Sequence, residues 1–390
     1  MPKSRRTTPR TPRILALLAA AALALPGLTA LAAPAGAAET AGTTTATVSM
    51  GDSYISGEAG RWQGNSLTTS GSRSGTDRAY TGSGYDPSRV YGSTYASGCD
   101  RSDVAEIRSA GTISQAQINL ACSGAVSSNV FRASNGGQSF KGEAPQADQL
   151  ATVARQYNVK LITLSIGGND LGFADVISSC VQDYLVWYSY CHDDQQAAVD
   201  SQMDAAMAGV SKSVDEIRAV MSAAGYANGS YRIVLQSYPS PIPRSSENRY
   251  PESGWTRANT GGCPFWNQDA DWARDSLVPQ ISNGIAAVAA AKGVQFLDLR
   301  DLLQGREVCS KATKLATSSS APSATTSEWA RWLDMGTSTQ GTLQESFHPN
   351  YYAQLALGRC LTLLNAQPTG NWSCRNTAGK DTTGVYLAAR

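Results

Sequence analysis

Residues 45–54 read TATVSMGDSY, a short run of apolar and β-branched residues that ends in a Gly-Asp-Ser turn. Such a run, bounded by turn residues, predicts a buried strand. Ser53 follows this strand directly, where a tight turn would present its hydroxyl group. The stretch therefore poses two questions: whether the strand belongs to a parallel sheet, and whether Ser53 is a nucleophile or only a turn residue.

Other apolar stretches repeat the pattern of the first. Together with 45–50, strands are predicted at 161–167, 231–238 and 294–299, with a shorter one from Ile118. Helical patterns occupy 144–157, 196–225, 271–293 and 351–364. Strands that alternate with helices predict a mostly parallel sheet covered on both faces. We therefore expect an α/β fold with three layers, α/β/α, around a five-stranded sheet.

The first 38 residues are expected to lie outside this fold. Five basic residues precede the apolar run ILALLAAAALAL, and the small residues of APAGAAET follow it. This order predicts a signal peptide that is cleaved near Ala37 or Ala38. The apolar run is too short to span a bilayer comfortably. We therefore expect a secreted, extracellular protein without a membrane span.

The charge balance gives little indication of a charged partner. The chain has 32 basic and 31 acidic residues, and removal of the five basic residues of the leader leaves 27 basic residues. A nearly neutral to mildly acidic protein is not expected to bind nucleic acid. We expect a monomer.

The cysteines predict disulfide bonds. An even number of cysteines in an exported chain favours disulfides, although eight cysteines allow 105 connectivities. We expect neighbours to pair in order, because the first two pairs would enclose short segments. The chain lacks a Cys-x-x-Cys motif and has two histidines, so no metal site is expected. The cysteines are Cys99, Cys122, Cys180, Cys191, Cys263, Cys309, Cys360 and Cys374.

Polar residues follow several of the predicted strands. Ser53 follows the first strand, Gly124 follows the short second one, and residues 167–170 (GGND) follow the third. His348 follows the last strand, directly before Pro349, where the final helix is expected to begin. Ligands of an open parallel sheet bind at the carboxyl ends of its strands. These residues are therefore expected to lie on one rim.

A serine nucleophile needs a base to remove its proton, and histidine suits neutral pH. His192 lies between Cys191 and two aspartates and is expected to be a partly exposed loop residue. His348 is the expected base, in preference to a role in capping the last helix.

The oxyanion that forms during acyl transfer also needs donors already in place. The backbone N–H groups of Ser53 and Gly124 and the side-chain amide of Asn169 are candidates. Each has a simpler interpretation: Gly124 could be only a turn residue, and Asn169 and Asp170 could cap the helix that follows. For Asp170 the capping role is preferred.

Four short blocks carry a resemblance to a known family. GDSY around Ser53, ACSGA around Gly124, IGGNDLGFADV from Ile166 and SFHPN around His348 are similar to blocks of the GDSL, or SGNH, hydrolases. The resemblance is strongest to the exported actinobacterial lipases, esterases and phospholipases. It implies a single flavodoxin-like SGNH hydrolase domain over 39–390 that hydrolyses acyl esters without a cofactor. It also implies Ser53 as nucleophile, His348 as base, and Gly124 and Asn169 in the oxyanion hole.

One position departs from the pattern of that family. The family usually has Asp three residues before the histidine, and Glu345 occupies that position here. Its carboxylate could complete a triad by orienting the imidazole. Alternatively, Glu345 faces solvent, and the backbone carbonyl of Glu345 or Ser346 accepts the imidazole N–H. Both arrangements remain open from the sequence.

The substrate is less well defined by the sequence. The aromatic run YLVWYSY at 184–190 could line an acyl pocket or pack against a disulfide and the neighbouring helix. An exported hydrolase without an anchor suits fatty-acyl esters, including phospholipids. The alternatives are a carbohydrate O-acyl esterase on the same fold and a secreted binding module that has lost turnover.

Overall fold

Strand β1 covers Thr45–Gly51 and forms the centre of the sheet's amino-terminal half. The structure is a computed structural model that describes residues 42–67, 75–333 and 341–390. The predicted signal peptide lies outside the described residues. The remaining strands are β2 (Ala116–Asn119), β3 (Asn158–Ser165), β4 (Arg232–Gln236), β5 (Gln295–Asp298), β6 (Trp372–Arg375) and β7 (Tyr386–Ala389).

The strands form one sheet in the order β2-β1-β3-β4-β5-β6-β7. All neighbouring strands are parallel except β6 and β7, which are antiparallel. The first five strands follow the flavodoxin-like order, in which the chain changes direction across the sheet between β1 and β3. The carboxyl ends of β1 and β3 therefore flank the point where such folds bind ligands.

The prediction of five strands was wrong in number, because the described residues form seven. The two additional strands, β6 and β7, have four residues each and lie at one edge of the sheet. Neither segment contains a β-branched residue, and each is only partly buried. Neither therefore resembles the buried central strands in sequence.

Helices cover both faces of the sheet. The helices are α1 (Ser53–Ser56), α2 (Ser88–Tyr91), α3 (Thr94–Ser97), α4 (Glu106–Ser109), α5 (Gln146–Gln156), α6 (Phe173–Gln182), α7 (His192–Ala223), α8 (Asn267–Trp272), α9 (Val278–Lys292) and α10 (Tyr351–Asn365). Helices α5, α7 and α9 pack beside one another, while α4 and α10 pack together on the other side. The three-layer α/β/α prediction is confirmed.

Two of the predicted helices begin or divide differently in the structure. The helix predicted at 271–293 is divided into α8 and α9 by a π-helical turn at Ala273–Leu277. Pro279 near the start of α9 lacks an N–H group, which disfavours a continuous α-helix there. The last helix begins at Tyr351 rather than at Pro349, because the side chain of Asn350 caps its first N–H groups.

The central strands are buried on both faces. In β1, the apolar Ala46, Val48 and Met50 and the intervening Thr47 and Ser49 are all inaccessible to solvent. Burial on both faces explains why parallel strands appear in the sequence as continuous runs rather than as alternating ones. This packing fixes the end of β1, and so the position of Ser53.

All eight cysteines form disulfides, and they pair in chain order as predicted. The pairs are Cys99–Cys122, Cys180–Cys191, Cys263–Cys309 and Cys360–Cys374. The described residues lie within one compact unit, Ala38–Arg390. Among the helices of these residues, none combines the length and apolar character required to cross a bilayer.

Candidate active site

Ser53 lies at a sharp turn between β1 and α1. Gly51 has a φ of +132°, and a Cβ atom there would lie 1.8 Å from the carbonyl oxygen of Ser165 on β3. Only glycine can therefore end this strand without displacing its neighbour. Asp52 caps α1 by accepting a hydrogen bond from the N–H of Tyr54, and Ser53 becomes the first helical residue.

The turn directs the hydroxyl of Ser53 to His348. The distance from Oγ of Ser53 to Nε2 of His348 is 2.7 Å. The other ring nitrogen, Nδ1, lies 3.0 Å from the backbone carbonyl oxygen of Ser346. A carbonyl can only accept, so Nδ1 carries the proton and the neutral Nε2 accepts from Ser53. This tautomer is the one that a general base requires.

The carboxylate of Glu345 does not bond to the imidazole ring. It is buried, and its carboxylate accepts hydrogen bonds from Nε1 of Trp62 at 3.1 Å and from the hydroxyl of Tyr91 at 2.8 Å. It also accepts from the N–H of Thr342 at 3.1 Å. The Ser346 carbonyl therefore lies at Nδ1, where a triad carboxylate would lie. The alternative that Glu345 faces solvent is also wrong, because its donors lie inside the protein.

Backbone strain beside His348 helps to explain its orientation. Phe347 has a φ of +60°, which is uncommon for a residue with a side chain. Its ring is buried, and its carbonyl oxygen accepts a hydrogen bond from the Tyr54 hydroxyl at 3.0 Å. The backbone N–H of Phe347 donates to Arg331, and the carbonyl of His348 accepts from Arg331. These contacts on both sides hold the turn that presents the imidazole.

The predicted oxyanion residues lie beside Ser53. Gly124 has a φ of +83° and follows Cys122, whose disulfide and backbone bond to Gly51 fix the turn. The Asn169 side chain donates from Nδ2 to the carbonyl oxygen of Ala125 at 2.9 Å. That nitrogen has two hydrogens, so one donor remains for a ligand. Gly124 and Asn169 line the same cavity as Ser53 and His348.

Asp170 has a different role from the one expected. It does not cap α6, whose N-cap residue is Gly172. Its carboxylate instead accepts hydrogen bonds from the backbone N–H of Ser127 at 2.9 Å and from the Ser127 hydroxyl at 2.6 Å. Asp170 therefore joins the Asn169 loop to the segment that follows Gly124.

A buried Asp-Tyr pair joins the Ser53 turn to the Asn169 loop. The hydroxyl of Tyr238, beyond β4, donates to the carboxylate of Asp52 and accepts from the N–H of Gly168 at 3.1 Å. Burial raises the pKa of Asp52 to about 7, although the hydrogen bond from Tyr238 opposes the shift. No local sequence pattern indicates this pair, because its members lie 186 positions apart in the chain.

A further buried carboxyl group, Glu58, also lies at the site. Its Oε2 atom accepts from the Ser123 hydroxyl at 2.6 Å and lies 3.6 Å from Nε2 of His348. The Ser123 hydroxyl in turn accepts from the side chain of Gln344 at 2.6 Å. Burial raises the pKa of Glu58 well above its usual range. Glu58 therefore connects the turn at Gly124 with the imidazole.

Burial also controls the protonation of His348. It lowers the pKa of the imidazole to about 4, while the hydrogen bond to the Ser346 carbonyl opposes that shift. At neutral pH the ring is therefore uncharged and able to accept a proton. His192, by contrast, begins α7 and pairs through Nδ1 with the buried Asp269 at 2.8 Å, away from Ser53.

A cavity of about 710 Å³ opens from Ser53 and is largely apolar. One wall is helix α6, which contributes Phe173, Ala174, Ile177 and Val181. The aromatic run at 184–190, for which the sequence left open either an acyl pocket or packing against a disulfide and the neighbouring helix, does not line this cavity among the described residues. The helix directly before that run forms the wall instead.

The described residues provide one cluster of potential metal ligands, at Cys180, Cys191 and Asp269. The two cysteines are joined in a disulfide, so they supply no thiolate.

This chain is similar to a known protein family and to a known relative. The model of the GDSL-like lipase/acylhydrolase family matches residues 50–351. Lipase 1 of Streptomyces coelicolor is 27% identical over 205 residues, which are 53% of this chain and 59% of that protein. The chain therefore matches less than two thirds of the length of this relative.

Two solved structures are also similar. The extracellular lipase of Streptomyces rimosus is 20% identical, with a TM-score of 0.44 over 83% of this chain and 100% of that one. Phospholipase A1 of Streptomyces albidoflavus is 21% identical, with the same TM-score and the same coverage of both chains.

Proposed function

Because this chain belongs to the GDSL-like lipase/acylhydrolase family, we propose that it is a secreted serine hydrolase of carboxylic esters. It cleaves fatty-acyl esters, including those of phospholipids, through an acyl-serine intermediate. The single observation that supports this most directly is the 2.7 Å contact between Oγ of Ser53 and Nε2 of His348 at the base of an apolar cavity.

In the proposed reaction, Oγ of Ser53 attacks the ester carbonyl carbon while Nε2 of His348 takes the hydroxyl proton. The oxyanion accepts hydrogen bonds from the backbone N–H groups of Ser53 and Gly124 and from the Asn169 amide. The tetrahedral intermediate then collapses, and the alcohol leaves with the proton from Nε2. Water, activated by the same nitrogen, attacks the acyl-serine and releases the acid.

The Ser346 carbonyl takes the place of a triad carboxylate in this proposal. It holds Nδ1 protonated and so fixes the ring tautomer, but it brings no full negative charge to the imidazolium. The low pKa of His348 is consistent with a base that lacks such a charge at Nδ1. The preorganised oxyanion donors then supply much of the stabilisation of the transition state.

The cavity lining supports long acyl groups as substrates. Phe173, Ile177 and Val181 present an apolar wall, and Leu333 and Leu343 also contribute to the lining. Burial of methylene groups against such a wall contributes about 0.8 kcal/mol for each CH₂. A fatty-acyl chain therefore gains more from this cavity than an acetyl group does.

Labelling with a fluorophosphonate and a series of nitrophenyl esters test the proposal. The mature protein should be labelled covalently at Ser53, and the Ser53→Ala variant should not. The value of kcat/KM should rise from acetate to octanoate. Absence of labelling would exclude the serine hydrolase. A kcat/KM value far higher for the acetate ester than for the octanoate ester would favour a carbohydrate O-acyl esterase. Secretion is tested by amino-terminal sequencing of exported protein, which should begin near residue 38 or 39.

A further inference from the structure

Five large apolar side chains form an exposed group, here called the aromatic patch: Val186, Trp187, Tyr188, Tyr190 and Trp255. Their exposed fractions are 60%, 67%, 66%, 47% and 47%. Single exposed apolar residues are common, but a contiguous group of this kind is typical of an interaction surface. The rings of Tyr188 and Trp255 lie 6.4 Å apart, and Trp266 packs beneath Tyr188 at 6.1 Å.

The patch is held firmly on the fold. Its first residues lie in the π-helical turn Asp183–Trp187, and the Cys180–Cys191 disulfide closes the loop around it. Tyr184, in the same turn, is buried against Trp266 at 4.7 Å. Its hydroxyl bonds to the carbonyl of Glu252 at 3.0 Å, which ties the turn to the segment that carries Trp255. The exposed rings therefore occupy a supported surface.

The patch adjoins the proposed active site. Helix α6 forms a wall of the cavity up to Gln182, and the turn that carries the patch begins at the next residue. Leu343 is a further apolar residue at the cavity, and 63% of it is exposed. A surface in contact with the patch would therefore lie beside the entrance through which an acyl chain must pass.

The charges around the patch indicate the kind of surface that it contacts. Residues 183–195 and 251–256 contain no lysine or arginine, and the exposed Asp193 and Asp194 follow the patch. Arg257 is buried, where its guanidinium bonds to the carbonyl of Phe265 and to Asn267. An anionic surface would therefore be repelled rather than attracted.

The angles between the rings favour a lipid over a carbohydrate as the partner of the patch. The planes of Tyr188 and Trp255 are inclined by 74°, and those of Tyr190 and Trp266 by 79°. A sugar chain stacks best on rings that share a plane, which these rings do not. Trp and Tyr side chains with an apolar body and a polar edge suit the boundary between acyl chains and water.

We propose that the aromatic patch docks the protein on a lipid surface without net charge and places the cavity entrance against that surface. This inference rests on the proposed function and extends it from single ester molecules to esters in a bilayer or droplet. Insertion of the rings adds apolar burial that no dissolved substrate provides.

Binding without turnover tests the proposal. The Ser53→Ala variant should sediment with sucrose-loaded phosphatidylcholine vesicles. Adding Trp187→Ser and Tyr188→Ser should weaken the partition coefficient roughly tenfold or more, since two exposed rings no longer enter the interface. The single change Val186→Glu should act in the same direction. Tyr386→Ser is the matched control, because Tyr386 is 45% exposed on the edge strand β7, outside the patch, and should not alter binding.

Further outcomes decide between docking and other roles. In the chain with intact Ser53, the Trp187→Ser/Tyr188→Ser pair should leave turnover of a dissolved short-chain nitrophenyl ester unchanged and reduce turnover of vesicle lipid. Equal sedimentation with and without the patch substitutions would overturn the proposal. Tighter binding to phosphatidylglycerol than to phosphatidylcholine would also overturn the proposal. Retention on acetylated xylan instead of binding to vesicles would do the same. Absence of fluorophosphonate labelling, by contrast, would count against the proposed reaction and not against docking.

Discussion

Nδ1 of His348 donates its hydrogen bond to the backbone carbonyl of Ser346, two residues earlier in the chain. A contact between residues so close in the sequence is set by the local turn, in which Phe347 has a φ of +60°. The orientation of the base therefore depends on backbone conformation and not on the acidic side chain at position 345.

This relationship predicts that Glu345 contributes to stability more than to turnover. Glu345→Gln leaves the donors Trp62 and Tyr91 poorly matched, which should lower the free energy of unfolding by about 1–3 kcal/mol. The value of kcat should fall less than about tenfold, whereas loss of a triad carboxylate costs about 10⁴-fold. Turnover of a soluble nitrophenyl ester and urea unfolding measure the two effects. A fall of 1000-fold in kcat at unchanged stability would restore Glu345 to a triad.

The low pKa of His348 predicts that hydrolytic activity persists at mildly acidic pH. A general base works only when it is unprotonated, so kcat/KM falls as the pH drops through its pKa. With that pKa near 4, rather than near 6.5, the ester hydrolysis rate should remain close to its plateau at pH 5.5. Initial rates between pH 3.5 and 7.5, with circular dichroism to show that the protein stays folded, provide the test. A midpoint near pH 6.5 that persists in the Asp52→Asn variant would contradict the lowered pKa of the imidazole, whereas a midpoint that this variant removes belongs to Asp52.

The buried pair of Tyr238 and Asp52 predicts a positioning role for a tyrosine outside the reacting groups. Tyr238→Phe removes the hydroxyl that joins Asp52 to the N–H of Gly168, next to Asn169. We expect kcat to fall about ten- to 100-fold with a small change in KM, because the oxyanion donor is less well placed.

The matched control for that variant is Tyr226→Phe. The hydroxyl of Tyr226 also accepts a backbone N–H, from Val159 at 2.9 Å, and donates to a carbonyl, but it lies at the opposite end of β3. The Tyr226→Phe variant should lower the free energy of unfolding by about as much as Tyr238→Phe does, and it should leave kcat unchanged. Equal losses of activity in both variants would show that Tyr238 has only a structural role.

Much of the fold and the rim could be predicted because their signals are local. The buried strands such as β1 and β3 appear as continuous apolar runs, and parallel strands must bring their carboxyl ends to one edge. Ser53, Gly124, Asn169 and His348 could therefore be assigned to one rim from their places after strands.

The parts that could not be predicted depend on contacts between distant residues. Glu58 lies five residues after Ser53, yet its proximity to His348 depends on how the last segment folds back. The hydroxyl of Tyr238 meets Asp52 across 186 positions, and no local pattern records such a contact. The strands β6 and β7 were missed for a different reason, because neither contains a β-branched residue and β6 is half polar.

Glu106, buried beneath α10, predicts how stability depends on pH. Burial raises its pKa to about 8, although a hydrogen bond from Gln236 opposes the shift. Between pH 4.5 and 8 the folded state holds a proton that the unfolded state has lost, so this group makes the free energy of unfolding fall as the pH rises. Glu106→Gln mimics the neutral acid and removes that dependence. Urea unfolding should find the variant equal to the parent at pH 4.5 and more stable at pH 8 by on the order of 4 kcal/mol. A constant difference at both pH values would mean that Glu106 does not titrate in this range, and a variant less stable at pH 8 would mean that its ionised form is stabilised in the fold.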